Sequence, residues 1–320
     1  MIFLKRILPA AVLLVCAYFL VAYVRDHLSE FSNLSDISIY YITVISIFYL
    51  FFLAGNGLFL KIVIVDFGID LNFSEYYSLS VITGFGNIFL PMRGGAGFRA
   101  VYLKSKYNFD YSYFVSSLAG NYLISFNITS LTALAGLVAF HSGGGNFNYP
   151  AAAVFFALTA ATSWAIFLPP SSMNWLPVAW VRERANQVLS GWQIIRKSRR
   201  TVLRLIGVSV ANILTSAAIT WAEFAAFSMN DTSGSSIGFA QSLIFTTISA
   251  LSMFVSITPA ALGIRESLLM FSSNFLGISP AQALAVSLLD RSVNFLVLGI
   301  CFCFASVYIK KQLRFKDFPA

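Results

Sequence analysis

The sequence predicts an all-α integral membrane protein, a polytopic helical bundle with two broken, re-entrant hairpins arranged as an inverted repeat. Three observations predict this fold. The chain is 58% hydrophobic, carries 11% charged residues and has a mean hydropathy of +0.77, whereas a soluble domain is about 25% charged. Apolar runs of about 18 or more residues recur, each long enough to cross the hydrocarbon core. Two other apolar segments are interrupted near their middle by Pro, Gly and charged residues.

Six segments have the length and composition of full membrane spans. The first follows Lys5 and Arg6, as the apolar part of a signal peptide would, but no small-residue cleavage site follows it. We therefore interpret it as a retained first helix. A membrane β-barrel is excluded because segments of alternating polarity are absent from the sequence. The six predicted spans lie at about 7–24, 37–60, 111–140, 150–169, 202–229 and 280–309.

The two broken segments lie at about 76–106 and 237–277. Residues 87–99 of the first read NIFLPMRGGAGFR, and residues 259–266 of the second read PAALGIRE. Backbone that is not helical persists at membrane depth only where protein buries it or water fills a cavity. Matching breaks in two halves of a chain are typical of the binding site of a transporter.

The distribution of Lys and Arg sets the predicted orientation. Basic residues concentrate at the N-terminus, at 93–106, in the connector at 182–204 and in the tail after residue 309. The loops around His141 and Asp231 have none, so both termini are expected in the cytoplasm. Each broken segment must then cross the bilayer an even number of times or not at all. Two re-entrant hairpins, one from each face, are the simplest solution; ten full crossings fit the charge pattern equally well.

We expect one transmembrane domain over residues 1–320, with a first half at about 37–140 and a second half at about 202–309. An amphipathic cytoplasmic connector is expected between the halves, at about 171–200. Apolar residues recur in it at steps of three and four among arginines, which is the pattern of an interfacial helix. We interpret it as a connector that follows the positive-inside rule, and a lipid-sensing or gating role stays open.

Composition also limits the expected partners. The net charge of +8 suits anionic lipid headgroups at the cytoplasmic surface. Because the basic residues lie at helix ends and in one connector, we expect no nucleic acid partner. Cys16, Cys301 and Cys303 lack disulfide or metal spacing, and the chain has two histidines. The expected partners are membrane phospholipids, with no cofactor and no metal; protein partners are unknown, and a homo-oligomer stays possible.

Arg93 and Arg99 flank the Gly-rich first break and are the candidate anion-binding residues there. A planar guanidinium matches phosphate, and the glycines allow close backbone approach. A helix that begins near Phe98 would also point its positive end at the break. The hypothesis is a phospholipid headgroup site open to the cytoplasm, and the alternative is a basic loop anchored at the interface. Asn87 is expected to cap or close this break.

The second half carries charges at membrane depth, which are costly and usually face a cavity or a partner. We favour a water-filled cavity that contains Glu266, Asp290 and Arg291. A local ion pair between Arg265 and Glu266, or a purely structural ion pair between helices, is the alternative. Glu223 is interpreted as a residue at the membrane interface. The candidate residues of this half are Pro259, Gly263, Arg265, Glu266, Asp290 and Arg291.

These spaced residues resemble the lysylphosphatidylglycerol synthase transmembrane-region family, the flippase-like module of multiple peptide resistance factors and of stand-alone inner-membrane proteins. The resemblance runs from the second span to the last and implies a lipid-translocating bundle with re-entrant elements. The family usually has Glu after the glycine matched by Gly95, and Ala96 stands there in this chain. The matching residues are Asn87, Pro91, Arg93, Gly95 and Arg99 in the first motif and Pro259, Gly263, Glu266 and Arg291 in the second.

What the resemblance and the charges together imply is a multi-pass protein of the cell inner membrane that moves an anionic phospholipid or a related lipid-phosphate across the bilayer. Arg93 and Arg99 would bind the headgroup on one side, and Arg265 and Arg291 would receive it on the other. The nearby carboxylates would neutralise these arginines in the empty state or carry a proton. The soluble aminoacyl-transfer domain of longer members is absent from the sequence, so we expect a transporter rather than an enzyme.

Two other functions stay open at this stage. One is a membrane transferase that acts on a polyprenyl-phosphate or a glycolipid, although the sequence shows no acidic pair for the metal that such an enzyme needs. The other is an accessory scaffold of an envelope-lipid complex. The replacement of the family Glu by Ala96 would give the first site a preference for a more anionic headgroup, or would mark a loss of activity.

Overall fold

The structure is a computed structural model that describes residues 25, 37–90, 94–167, 179–228, 237–252 and 261–314. The predicted first span, and the motif residues Pro91, Arg93 and Pro259, lie outside the described residues. Within the described ranges the regular secondary structure is helical, and no strand forms there. The α-helices are α1 Ile39–Val65, α2 Phe73–Phe89, α3 Ala96–Tyr107, α4 Tyr111–Ser142, α5 Tyr149–Phe167, α6 Ala179–Lys197, α7 Arg199–Ser228, α8 Phe239–Ser252, α9 Ile264–Ser273 and α10 Pro280–Arg314.

Five of these helices, α1, α4, α5, α7 and α10, are long and apolar enough to cross a membrane. They coincide with five of the six predicted spans, and the prediction of an all-α polytopic membrane protein is confirmed. Large apolar side chains such as Phe51, Phe156 and Phe304 are exposed on the outside of the bundle. Such a surface suits lipid, since exposed apolar area of this extent is rare on soluble monomers.

Both predicted broken segments form pairs of short helices. The first pair, α2 and α3, has 17 and 12 residues, and the second pair, α8 and α9, has 14 and 10. A helix needs about 20 residues to span the hydrocarbon core, so each of the four is shorter than an ordinary span. In each pair, the two helices are separated by the stretch of sequence that contains the interrupting Gly and Pro.

Helices of the first half pack against helices of the second half. Helix α1 packs along α7 in the middle of the bundle, and these two are the first helices of the two halves. Helix α2 then packs on α10, while its counterpart α8 packs on α4. The contact of α1 with α2 has its counterpart in the contact of α7 with α8. The contact of α10 with α1 likewise has its counterpart in the contact of α4 with α7.

The predicted amphipathic connector contains α6, whose apolar face packs against protein rather than lipid. Leu189, Trp192 and Ile195 are buried, and α6 lies along α4. A glycine allows this approach, because a Cβ on Gly120 of α4 would lie 2.6 Å from the Trp192 ring. The Trp192 side chain therefore belongs to the apolar contact between α4 and α6.

Candidate functional site

The first break is closed by Asn87, as its sequence position indicated. The amide of Gly95 donates a hydrogen bond to Asn87 Oδ1 at 3.0 Å. The backbone at Gly95 lies so close to α2 that an added Cβ would overlap the Thr83 carbonyl oxygen and would sit 2.7 Å from Asn87 Oδ1. Glycine is therefore required at this position by close packing, and Asn87 fixes the chain before α3 begins.

Arg99 is buried on the first turn of α3. Its side chain is 7% exposed, and its Nε donates to the carbonyl oxygen of Leu79 on α2 at 3.4 Å. The interpretation of this segment as a basic loop at the interface is therefore wrong for Arg99, which lies on a helix inside the bundle. The helix begins at Ala96, two residues before the expected start near Phe98.

The second break ends in a tight turn that the Glu266 side chain closes. Gly263 has φ of 84°, a conformation that glycine adopts without the steric cost of a side chain. Its amide donates to Glu266 Oε2 at 2.8 Å. A carboxylate three residues into a helix that accepts from the backbone before the helix is one half of a capping box. The same carboxylate is therefore both a cap of α9 and a partner for charge.

Two ion pairs join α9 to α10. Arg265 Nη2 lies 2.5 Å from Asp290 Oδ2, and Arg291 Nε lies 2.6 Å from Glu266 Oε1. Ser287 Oγ donates to the same Glu266 oxygen at 3.2 Å. Neighbouring residues of a helix point in different directions, so each charge of α9 finds its partner on α10. The alternative of a local pair between Arg265 and Glu266 is wrong.

Two more side chains hold the pair formed by Arg265 and Asp290. The Tyr49 hydroxyl of α1 donates to Asp290 Oδ1, and Arg265 Nε donates to Ser249 Oγ of α8 at 2.6 Å. Tyr49 was missed by the sequence reasoning, because a tyrosine in an apolar span gives no signal of its own. Its position in the middle of α1 connects the charges of the second half to the first half.

A cavity of about 680 Å³ brings the two breaks together. Its wall includes Ala96 and Arg99 beside the first break, and Arg265, Asp290 and Arg291 beside the second. The expected cavity thus contains Asp290 and Arg291, while Glu266 lies behind Arg291, buried and away from the lining. Much of the remaining wall is made of neutral hydrogen-bonding side chains from six helices. Five of these are asparagines: Asn56, Asn87, Asn121, Asn212 and Asn294.

The two asparagines of α4 behave differently. Asn127 Nδ2 donates a hydrogen bond to Ser163 Oγ of α5 at 2.7 Å and so joins two helices. Asn121 accepts from Ser125 of its own helix at 3.1 Å and faces the cavity. Asn121 thus contributes to the polar wall of the cavity.

Glu223 of α7 is buried among the helices, and its depth at the membrane interface stays a prediction. Its side chain is 1% exposed, and it faces Asp290 within electrostatic range of Arg265. Its position near the end of a predicted span suggested the interface, and in the structure α7 packs against α1 and α8. An acid in an apolar span was the available signal, since such residues are rare unless functional.

A second buried ionic cluster fastens the first helix pair to α10. Glu75 Oε1 accepts hydrogen bonds from Tyr102 at 2.6 Å, from Lys106 at 2.9 Å and from Tyr107 at 2.8 Å. Lys106 also donates to Gln312 Oε1 of α10 at 3.1 Å. The cluster lies outside the cavity lining, so we assign it to holding α2, α3 and α10 together.

The arrangement in the cavity is chemically suited to binding an anion among polar, uncharged groups. In the ranges that the structure describes, no group of three His, Cys, Asp or Glu side chains is placed to hold a metal ion. Arginines paired with buried carboxylates provide charge that a phosphate oxygen can compete for.

Comparison with known proteins identifies the family of the chain. The sequence model of the lysylphosphatidylglycerol synthase TM region matches residues 6–301. No curated protein sequence matches the chain closely enough to count as a relative. The match covers both broken segments, both halves of the bundle and the connector between them. The chain therefore belongs to the lysylphosphatidylglycerol synthase transmembrane-region family.

Proposed function

We propose that this protein moves an anionic phospholipid, or a related lipid-phosphate, across the cell inner membrane as a flippase or scramblase. Its family and its apolar spans support a membrane lipid-related role. The observation that carries the proposal is the polar cavity, whose wall includes residues from both breaks inside an otherwise apolar bundle. A headgroup can pass through such a cavity while the acyl tails stay in lipid.

Arg291 supports a phosphate site at the second break. It lines the cavity, its Nε is held by Glu266, and its Nη2 is buried without a hydrogen-bond partner among the described residues. A buried donor that lacks a partner is costly. A phosphate oxygen in the cavity would supply the missing acceptor, with a hydrogen bond that charge strengthens. Arg265 lines the same wall and would offer a second guanidinium.

The ion pairs give the cavity two states. Without lipid, Asp290 neutralises Arg265, and Glu266 neutralises Arg291. With lipid, the phosphate competes for these guanidinium groups, so the cations are never left buried and unpaired, an arrangement that costs several kcal/mol. The headgroup would engage Arg93 and Arg99 on one side and these arginines on the other.

Ala96 supports a preference for strongly anionic headgroups. It lines the cavity on the same turn of α3 as Arg99, at the position where the family usually has Glu. Without that carboxylate, the first break contributes positive charge to the wall with less local compensation. Of the two interpretations of Ala96, we therefore propose the one in which the site is retained and selects a more anionic lipid.

The proposed topology is a single domain over 1–320 in which the two halves are inverted repeats. The exchanged contacts, α2 on α10 and α8 on α4, support a pseudo-twofold relation between the halves. The short helices of both broken segments support re-entrant hairpins that enter from opposite faces. Both termini and the connector would lie in the cytoplasm, following the positive-inside rule.

The test is lipid translocation in liposomes that contain the purified protein, with fluorescent anionic and zwitterionic phospholipids compared. Two variants remove cavity charge without leaving a buried carboxylate unpaired: Arg99→Gln, and Glu266→Gln combined with Arg291→Gln. We expect each to slow movement of the anionic lipid by about tenfold or more, since a hydrogen bond to a charged group contributes about 1.5–3 kcal/mol. Lys104→Gln is the matched control on α3, because its ion pair with Asp110 lies at the surface.

Movement of anionic lipid that depends on the cavity arginines but not on Lys104 would support the proposal. Equal movement in all variants, each of them folded, would contradict it. No movement of any lipid by folded wild-type protein would favour the transferase or scaffold function instead.

A further inference from the structure

Glu223 is a buried acid that the transport pathway proposed above does not use. Its Oε1 has no hydrogen-bond partner in the part of the chain that the structure describes. The carboxyl group faces Asp290, which itself lines the cavity. Two interacting carboxyl groups thus come from α7 and α10: the carboxyl group of Asp290 lines the cavity, and that of Glu223 is buried outside the lining.

The charged and titratable groups around Glu223 come from three other helices. They are Asp290 of α10, Arg265 of α9 and, through Asp290, Tyr49 of α1. Helix α8 contributes the neutral Thr246, which is hydrogen-bonded to Thr220. Arg265 is therefore a cation that interacts with both carboxyl groups, and it is already paired with Asp290 at 2.5 Å.

One cation cannot balance two buried carboxylates. An ionised carboxylate without a partner is so costly in an apolar interior that the group takes up a proton instead. Two carboxyl groups in contact also titrate as a pair rather than as separate groups. With Arg265 bound to Asp290, the lowest-cost arrangement is one proton on the pair, held at Glu223.

We propose that Glu223 and Asp290 form a proton-binding dyad that links proton uptake to lipid binding. The dyad holds one proton while Arg265 is paired with Asp290. When a lipid phosphate takes Arg265, Asp290 loses its cation and accepts a second proton from water in the cavity. That proton leaves when the phosphate departs and Arg265 returns. The inference deepens the proposed function and rests on it for the identity of the anion.

The direction of the linkage between proton uptake and lipid binding determines how pH changes the affinity for lipid. Because the lipid-bound state holds one more proton, affinity for the anionic lipid rises as pH falls, by up to about tenfold per pH unit. A proton that enters and leaves with the lipid also drives the lipid toward the alkaline side of a membrane. A pH gradient that is acidic outside would therefore move the lipid to the cytoplasmic leaflet.

The resting proton can be tested without any lipid. The infrared spectrum of the purified protein at neutral pH should contain a carbonyl-stretch band of a protonated carboxylic acid that shifts in D₂O and is missing in Glu223→Gln. The band should also be lost in Asp290→Asn, because Glu223 then becomes the anion for Arg265. A band unaffected by Glu223→Gln would overturn the proposal, and one that survives Asp290→Asn would show that burial alone protonates Glu223.

The second proton is tested by adding short-chain phosphatidylglycerol to detergent-solubilised protein in weak buffer. Calorimetry reports binding, and a pH indicator reports uptake. We expect about one proton per lipid bound in the wild type, and none in Glu223→Gln combined with Asp290→Asn. Asp70→Asn is the control and should leave uptake unchanged, since Asp70 pairs with Lys61 at the surface.

The outcomes separate the inference from the proposed function. Binding without proton uptake would overturn the dyad and leave lipid transport standing. Absence of binding, with the infrared band of Glu223 present, would contradict the proposed lipid substrate while the resting proton is retained. Uptake that persists in the double variant would place the proton elsewhere and overturn the assignment.

Discussion

Single residues hold the two breaks in place by different means. At the first break, a glycine allows the backbone to pack closely against α2, and an asparagine side chain accepts a hydrogen bond from its amide. At the second, a glycine with positive φ turns the chain, and the Glu266 carboxylate accepts a hydrogen bond from the glycine amide. Glu266 also pairs with Arg291. A change in the charge of this pair therefore also affects the hydrogen bond that closes the turn.

Gly95→Ala tests the close approach at the first break. The added methyl group overlaps the Thr83 carbonyl oxygen, and we expect a loss of about 1–3 kcal/mol of stability, the usual cost of overpacking. The matched control is Gly97→Ala on the same helix, where a Cβ meets no atom within 4 Å. That change should be neutral or stabilising, since Ala favours a helix over Gly by about 1 kcal/mol.

The measurement is the thermal unfolding midpoint of both purified variants in detergent. Gly95→Ala should lower the midpoint relative to the wild type, and Gly97→Ala should not. Equal midpoints for the two variants would show that the first break has room to relax, and the packing argument for Gly95 would be wrong.

Among the helices, the existence and type of most were predictable, because long apolar runs and Gly-rich interruptions are strong local signals. The spans at α1, α4, α5, α7 and α10 and the breaks before Ala96 and Ile264 follow from composition alone. The docking of α6 did not, since an amphipathic helix looks the same whether lipid or another helix covers its apolar face. The close approach of Trp192 to Gly120 in the folded structure decides between them.

The partners of the charged side chains were harder to predict from the sequence than the positions of the helices. Sequence reasoning placed Glu266, Asp290 and Arg291 together because all three interrupt apolar sequence. It could not assign Glu75, whose neighbours in sequence suggested an ordinary loop between helices. Its partners lie 27 to 32 positions away, and such contacts depend on how α3 folds back against α2.

The Glu75 cluster should contribute to stability at the level of the helix pair. In Glu75→Ala, Lys106 and two tyrosines lose their common acceptor, and breaking a buried pair in this way costs about 3–5 kcal/mol. Asp110→Ala removes a surface pair with Lys104 from the adjoining segment and should cost at most about 1 kcal/mol. The thermal unfolding midpoints of the two variants provide the comparison. Similar small losses would mean that Glu75 does not hold α3 to α10.

At the scale of the whole molecule, the packing of helices from one half against helices from the other brings residues beside both breaks to one cavity. Because α2 packs on α10 and α8 packs on α4, Arg99 of the first half and Arg291 of the second line the same wall. The sequence resemblance between the two breaks is too weak to establish this relation. It arises from the packing of whole helices, which local patterns do not encode.

The orientation of the first break distinguishes a re-entrant hairpin from two full crossings. In a variant without its natural cysteines, a cysteine at Gly94 is expected to react with a membrane-impermeant thiol reagent from the cytoplasmic side or not at all. If α2 and α3 both crossed the membrane, the turn between them would emerge outside, because the C-terminal end of α3, where Ser105 lies, is expected in the cytoplasm. Gly94 is exposed in the structure, so failure to react from outside would reflect its position in the membrane rather than burial in the protein.

Two control sites make the labelling result interpretable. Cysteine at the exposed Ser105 should react from the cytoplasmic side, and cysteine at the exposed Ser142 should react from outside, which checks reagent access on each face. Reaction of the Gly94 cysteine from outside, with both controls behaving as expected, would contradict the re-entrant hairpin and favour ten crossings. The polar cavity would then be lined by breaks at the membrane surface, and a phosphate would no longer meet Arg99 within the bilayer. The labelling pattern therefore bears on the transport route as well as on topology.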